Sequence, residues 1–171
     1  MKIKVKILEG GFMPTVSDNG DWIDLKAAES VKLECPKAEI LKKQGENKYR
    51  KVIFSPQKIR LGIAMKLPKG FEAIVVPRSS SFKYWKFLQS NSVGVIDNTY
   101  CGPNDEWKML ALPFEDAEII RGQRICQFRI QPSQKASVWQ KLKWLFSSNI
   151  KFVECEDFDS PDRGGLGSSG K

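Results

Sequence analysis

Gly94-Val95-Ile96-Asp97-Asn98-Thr99-Tyr100 is a short apolar run that stops on a carboxylate and passes directly into turn-forming residues. Val93 to Ile96 has the length and bounding of a buried strand, being too short for a helix. An Asp in this place can simply cap the following turn by accepting from a backbone amide two residues on. It can also act as a general base at the rim of a pocket, with Tyr100 as a flat wall. The residues alone leave both readings open.

The same rhythm extends outward in both directions. Met1, Ile3, Val5 and Ile7 alternate with Lys2, Lys4 and Lys6, which predicts a half-buried strand. Ile59, Leu61, Ile63, Met65 and Leu67 repeat the period of two up to Pro68-Lys69-Gly70. Phe71 to Val76 follows, so the two runs are expected to form a hairpin-like unit. Ile119 to Ile130 holds further strand candidates split at Arg121-Gly122-Gln123. Many short strands with Gly and Pro between them predict an all-β barrel, sandwich or jelly roll. Three stretches depart from this pattern. Pro36 to Arg50 is polar and reads as an insertion or long loop. Ser81 to Leu88 reads as a short helix. Ser137 to Phe146 is the stronger helix, with Ser137 as cap and Val138, Leu142, Leu145 and Phe146 on one stripe. That stripe is expected to pack on this protein rather than on a membrane. Residues 1–158 are read as one domain, and the Gly-, Ser- and Pro-rich Asp159 to Lys171 as a flexible arm.

The chain has 171 residues, 41% of them hydrophobic, enough for one domain to bury a core. It contains no histidine, which excludes Ser-His-Asp and Cys-His nucleophiles, imidazole metal ligands and imidazole proton shuttles. A net charge of +8 implies an anionic partner without naming it. Cys35, Cys101, Cys126 and Cys155 are widely spaced, which argues against a zinc site or a secreted disulfide scaffold. The N-terminal run lacks the apolar core of a signal peptide, and no apolar stretch has the length of a membrane span. A cytoplasmic protein with no membrane contact is the expectation.

Three further segments carry groups suited to phosphate. Pro77-Arg78-Ser79-Ser80-Ser81 follows an apolar strand and combines small hydroxyl residues with a planar cation. Gly122-Gln123-Arg124-Ile125-Cys126-Gln127 offers a Gly turn and then Arg124 and Gln127 on a strand, where Arg124 can equally be a structural ion-pair partner. Arg163 to Gly170 offers unhindered amides and one guanidinium, able to fold over phosphates. Its spacing is not that of a P-loop.

Taken in order, these segments resemble the five motifs of the homotrimeric dUTPases (deoxyuridine triphosphate nucleotidohydrolases). The counterparts are Asp24-Leu25-Lys26-Ala27-Ala28, Pro77 to Ser80, Gly94 to Tyr100, Gly122 to Gln127, and Gly165 to Gly170. The resemblance implies a dUTPase-like β-barrel or jelly roll that hydrolyses dUTP to dUMP and diphosphate. Such an activity limits uracil incorporation into DNA and supplies dUMP for thymidylate synthesis. By the same resemblance Asp97 would polarise a water that attacks the α-phosphate. Tyr100 would pack on the deoxyribose and exclude a 2′-hydroxyl. Asn91 would help read the uracil edge, together with the strand at Gly94 and Ile96. Arg78, Ser79, Ser80 and Gln127 would hold phosphates. Asp24 would support Mg²⁺ through water, the ion being held mainly by substrate oxygens. Arg163 would neutralise charge as diphosphate leaves. Leu166, Gly167 and Ser168 would lie over the substrate, and each site would be built from three subunits of a homotrimer, one of which donates the arm.

The sequence also departs from that pattern. Trp22 stands where the first motif usually has Gly, and Leu166 where the arm usually has a stacking Phe. Arg163 is three residues before Leu166 rather than five, and Cys101 to Trp107 exceeds the usual turn. Gln134 to Ser148 lies between the last two motifs, and a protein partner for it would rest on position alone. Alternatives are a dCTP deaminase-like enzyme of the same fold, for which Glu106 is the one acid on offer, and a nucleotide-binding regulatory module with low turnover. Direct nucleic-acid binding is not expected, because no nucleic-acid motif accompanies the charge.

Overall fold

Alternating burial shows why the strands form where they do: along Phe71–Pro77 every second residue, Phe71, Ala73 and Val75, is buried. The structure, a computed structural model, describes residues 1–16, 20–41, 49–146 and 149–165. In chain order the elements are β1 (Lys2–Ile7), β2 (Ile23–Lys26), β3 (Val31–Leu33), β4 (Lys37–Leu41), β5 (Tyr49–Ile53), β6 (Gln57–Arg60), β7 (Ile63–Lys66) and β8 (Phe71–Pro77). They continue with α1 (Ser81–Trp85), β9 (Phe87–Gln89), β10 (Gly94–Asp97), β11 (Lys108–Pro113), β12 (Ala117–Ile119), β13 (Arg124–Pro132), α2 (Val138–Leu145) and β14 (Lys151–Glu154). The all-β, jelly-roll-like expectation holds.

One sheet has the order β10-β8-β13-β2, and it carries most of the candidate site. A second, β14-β1-β7, and a third, β6-β11-β9, close around the same core, in which Trp107 meets Phe128 edge to face at 5.3 Å.

Several expectations need correction. Ile59 to Leu67 is not one strand. Gly62 turns the chain at φ +64°, and a Cβ there would lie 2.4 Å from the Gly11 Cα. The run therefore splits, β6 pairing with β11 and β7 with β1. The Pro68-Lys69-Gly70 turn forms, but β7 and β8 do not pair as a hairpin, since β8 lies between β10 and β13. Pro36 to Arg50 is not simply a polar loop: it holds β4 and the start of β5, which pair antiparallel as far as Ile53, while residues 42–48 lie outside the described residues.

The Ser137 helix forms, with a reciprocal capping box between Ser137 and Gln140. Its stripe does not pack as expected. Trp144 packs on Phe71 with the rings tilted and their centroids 5.7 Å apart, and Gln140 Nε2 donates to the Lys69 carbonyl at 2.7 Å. Val138, Trp139, Leu142, Leu145 and Phe146 stay exposed. The reason is register: Trp144, outside the counted stripe, is the residue that reaches the core. No helix among the described residues is long and apolar enough to cross a membrane.

Candidate functional site

β10 ends on Asp97, and the capping reading of that residue is realised. Its Oδ1 accepts from the Thr99 amide at 2.7 Å and the Thr99 hydroxyl at 2.5 Å, so it does cap the turn. Arg163 Nη1 reaches Oδ1 at 3.1 Å, Oδ2 at 2.9 Å and the Thr99 hydroxyl at 2.7 Å. Partial burial works to raise the Asp97 pKa. The Thr99 hydroxyl and amide and the Arg163 guanidinium outweigh it and hold the carboxyl below the usual aspartate range. Tyr100 is half-buried against the core, and its hydroxyl donates to the Glu106 carbonyl at 2.9 Å, which fixes the ring.

Gly94 and Ile96 pair with Val75 and Ala73 on β8. A Cβ at Gly94 would press on Gln89 Nε2 at 3.2 Å and Val75 Cβ at 3.3 Å. Gln89, buried at the end of β9, donates to Asn91 Oδ1 at 2.9 Å, and its own Oε1 has no partner among the described residues. Gln89 thus orients Asn91. The sequence reading missed it, although a polar residue closing an apolar strand two positions before Asn91 was its signal.

A second cluster lies at the other end of β8. Gln127 on β13 sits opposite Asp24 on β2 and Val76 on β8, which places Asp24 and Gln127 side by side on one sheet face. Asp24 is clasped by two guanidiniums, Arg78 Nε on Oδ1 at 2.8 Å and Arg124 Nη1 on Oδ2 at 3.0 Å. Arg124 is therefore the ion-pair partner that the sequence allowed. Gln127 Nε2 lies 3.5 Å from the Pro77 carbonyl. Ser79 is exposed, Ser80 caps α1 without spending its hydroxyl on a backbone amide, and Ser81 is structural, donating to the Ile125 carbonyl at 2.7 Å. Asp24, Arg78, Ser80, Tyr84 and Arg124 line a cavity of about 940 Å³.

The two clusters do not meet within the chain. Asp97 pairs with Glu72, and Arg78 lies six residues further along, about 20 Å at 3.3 Å per residue. Leu166, Gly167 and Ser168 lie outside the described residues. Arg163 does not: the first part of the arm is tethered rather than free. Asp105, buried, accepts from the amides of Gly102, Arg163 and Gly164, and Asp162 accepts from Asn104. The sequence reading gave Asp105 and Thr99 no role beyond their turns.

Glu106 is the acid that a deamination reading requires. It is buried and engaged at 3.0 Å by Arg60 Nε and at 3.1 Å by the Gly62 amide. The cavity wall carries the carboxylates of Asp24 and Glu118 among the cationic Lys26, Arg78 and Arg124, and the described residues contain no cluster of three or more His, Cys, Asp or Glu that could hold a metal ion. Such a wall suits a hard cation that arrives on phosphate oxygens, with the protein reaching it through water.

The chain is similar to known proteins along most of its length. The dUTPase family model matches residues 47–145, which include Arg78, Asp97 and Gln127 but neither Asp24 nor Arg163. The SPbeta prophage-derived deoxyuridine 5′-triphosphate nucleotidohydrolase YosS of Bacillus subtilis is 39% identical over 171 residues, covering 99% of each chain. The deoxyuridine 5′-triphosphate nucleotidohydrolase of Hydrogenobaculum sp. is 34% identical, covering 66% of this chain and 69% of its own. Among solved structures, the dUTPase of Staphylococcus aureus phage phi11, described with a structural Mg(II) ion, superposes with a TM-score of 0.58 at 16% identity. That superposition covers 80% of this chain and 94% of its own. Matched by the family model over more than half its length, and by a relative along nearly all of it, the chain belongs to the dUTPase family.

Proposed function

We propose that the chain hydrolyses dUTP to dUMP and diphosphate with Asp97 as the base. The observation that carries this reading is the state of Asp97. It is held ionised by Thr99 and Arg163 beside a fixed Tyr100, in a chain with no histidine to compete for the role.

In this mechanism an Asp97 oxygen accepts a hydrogen bond from a water and takes its proton as the water oxygen attacks the α-phosphorus. The bond that breaks joins the α-phosphorus to the α–β bridging oxygen, and diphosphate leaves carrying that oxygen. Arg163, already on Asp97, shifts its guanidinium toward the phosphate oxygens as negative charge builds there. Arg78, Ser79, Ser80 and Gln127 bind the triphosphate. Arg78 must then exchange part of its bond to Asp24 for phosphate, which frees one Asp24 oxygen. Asp24 would hold Mg²⁺ through water, and the ion, when bound, supplies neutralising charge on the phosphate oxygens. Asn91, oriented by Gln89, reads the base with the strand backbone at Gly94 and Ile96. Tyr100 covers the sugar and leaves no room for a 2′-hydroxyl.

Successive phosphorus atoms are joined through single oxygens, so groups acting on one triphosphate must sit within a few bond lengths of one another. Asp97 and Arg78 of one chain are too far apart for that. The site therefore takes Asp97, Asn91 and Tyr100 from one copy and Asp24, Arg78 and Gln127 from another, in the homotrimer that the family resemblance implies.

The test is magnesium-dependent diphosphate release across dUTP, dTTP, dCTP and UTP, with the Asp97→Asn variant beside the wild type. Release confined to dUTP is expected. Asp97→Asn is expected to lose about 10²- to 10⁴-fold in kcat while still binding a nonhydrolysable dUTP analogue. Wild-type turnover by Asp97→Asn, or ammonia release from dCTP, would sink the proposal.

A further inference from the structure

Gln89 closes β9 and is 8% exposed, at a position where an apolar side chain would avoid the cost of burying an amide. Both hydrogens of its Nε2 are spent, one on the Val75 carbonyl at 3.3 Å and the other on Asn91 Oδ1 at 2.9 Å. The two ends of a side-chain amide are alike in shape, so what they face decides which is which. A backbone carbonyl only accepts, so the Gln89 atom beside Val75 has to be the NH2 group. The same NH2 faces Asn91 and requires an acceptor there, which turns Oδ1 inward and leaves the Asn91 NH2 as the outward end. Polarity thus passes from a backbone group that cannot turn over, through a buried side chain, to the exposed Asn91. Two features hold this relay in place. Gly94 pairs with Val75 across β10 and β8, and a Cβ on it would lie 3.2 Å from Gln89 Nε2, so the missing side chain leaves the Gln89 amide its path to the Val75 carbonyl. The Ser92 amide donates to the Gln89 carbonyl at 3.0 Å, with Ser92 at φ +60°, and this closed turn fixes Asn91 relative to Gln89.

We propose that Gln89 is a positioning residue for base selection: by holding the Asn91 amide with its NH2 outward, it makes the site accept uracil and refuse cytosine. This rests on the reading of Asn91 as the side chain that meets the base of dUTP. Uracil and cytosine share the carbonyl at C2 and differ at N3 and C4. At C4 uracil carries a carbonyl and cytosine an amino group. An NH2 aimed at C4 meets an acceptor in uracil. In cytosine it meets a second donor, and both groups give up water with nothing in return. An asparagine free to turn over could serve either base, because its other end accepts. Base choice then depends on a buried glutamine that acts through its neighbour. The unpartnered Gln89 Oε1 is consistent with this, since the side chain is kept for its two donors although its acceptor is left unsatisfied among the described residues.

The experiment uses the full-length chain, Gln89→Met, Asn91→Ala and the double variant. Each is assayed for diphosphate release from dUTP and titrated by calorimetry with the nonhydrolysable α,β-imido analogues of dUTP and dCTP. Gln89→Met keeps the length of the side chain and removes its donors. Its KM for dUTP should rise by about 5- to 20-fold with kcat changed by less than about twofold, because the base is held equally before and in the transition state. Its preference for the dUTP analogue over the dCTP analogue should narrow by about tenfold or more. The double variant should match Asn91→Ala alone, since Gln89 acts through Asn91. Gln89→Glu cannot donate twice, whether ionised or protonated, so Asn91 should turn its NH2 inward and the preference should narrow at least as far. An unchanged preference in Gln89→Met, or losses that multiply in the double variant, would overturn the proposal. Should Gln89→Met fail to fold, the same narrowing is required of Gln89→Glu. Equal binding of the two analogues by the wild type would refute the role of Asn91 and with it that of Gln89. A wild type that binds the dUTP analogue selectively but releases no diphosphate would remove the hydrolysis reading alone, and the binding preference of the variants would still decide the role of Gln89.

Discussion

Charge and hydrogen bonding converge on Asp97, the proposed base. Its depressed pKa means that the ionised form, with the stability it contributes, is fully present above the unfolded value. That contribution is lost as pH falls through the lower folded value. The acid limb of kcat/KM should therefore lie below the usual aspartate pKa of about 3.9. In Arg163→Ala the lowering by the guanidinium disappears while the partial burial that raises the pKa remains, so the limb should move up. A limb that stays in place, measured by diphosphate release between pH 3 and pH 7 (a window of about three units above that reference value), would show that Arg163 does not sit on Asp97 in solution. At this scale the sequence was informative about residue types. Asp97, Tyr100, Arg78 and Gln127 stand out by their places at strand ends and on a strand. Asp105 and Gln89 do not, because a turn aspartate and a strand-end glutamine look ordinary until the partners that bury them are known.

Among the elements, α2 shows most clearly what a pattern can and cannot say. Its cap was readable: Ser137 accepts from the Gln140 amide at 3.2 Å, and the Gln140 side chain accepts from the Ser137 amide at 2.7 Å. Its partner was not, since an apolar stripe implies only that something should cover it. In the structure Trp144 and Gln140 tie α2 to Phe71 and Lys69, and no α2 residue is fully buried. Ser137→Ala should therefore destabilise the helix by about 1 kcal/mol. Hydrogen exchange should rise across residues 138–145, while the urea midpoint of the whole protein stays within error of wild type. A large drop in that midpoint would mean that α2 is coupled to the core more tightly than its exposure indicates. The same contrast explains β6 and β7. Alternation from Ile59 to Leu67 runs unbroken through the sequence, yet the close approach of Gly11 to Gly62 forces a corner that sends the halves to different sheets.

On the scale of the molecule, β8 is a ruler with one half-site at each end. The groups proposed to bind phosphate gather near Arg78 and the proposed base near Glu72, and the strand between them is paired with β13 along its length and with β10 over Glu72 to Val75. No side-chain motion closes such a gap. Mixing two inactive chains tests the consequence. Asp97→Asn and Arg78→Ala, each with little turnover alone, should regain activity when unfolded together and refolded, because some sites then take an intact Asp97 from one copy and an intact Arg78 from another. Each variant refolded alone serves as the control. No recovery from the mixture, with mixed oligomers verified by mass spectrometry, would mean that the site is not shared in this way.

The sequence by itself determined which groups are on hand: no histidine, a carboxylate at the end of an apolar strand, guanidinium and hydroxyl groups beside a second strand, and an ordered set of five segments sufficient to imply a family. These are local properties, carried by residue type and by spacing of a few positions. Only the tertiary structure decided which groups share a site. It bent one alternating run into two strands, left the α2 stripe exposed, and placed Asp97 and Arg78 at opposite ends of β8. It also laid the start of the arm across the Cys101 to Trp107 turn, so that Arg163 rests on Asp97. Each of these outcomes depends on contacts between residues far apart in the chain, where the room left by Gly11, Gly62 and Gly102 and the need to satisfy a buried carboxylate set the geometry.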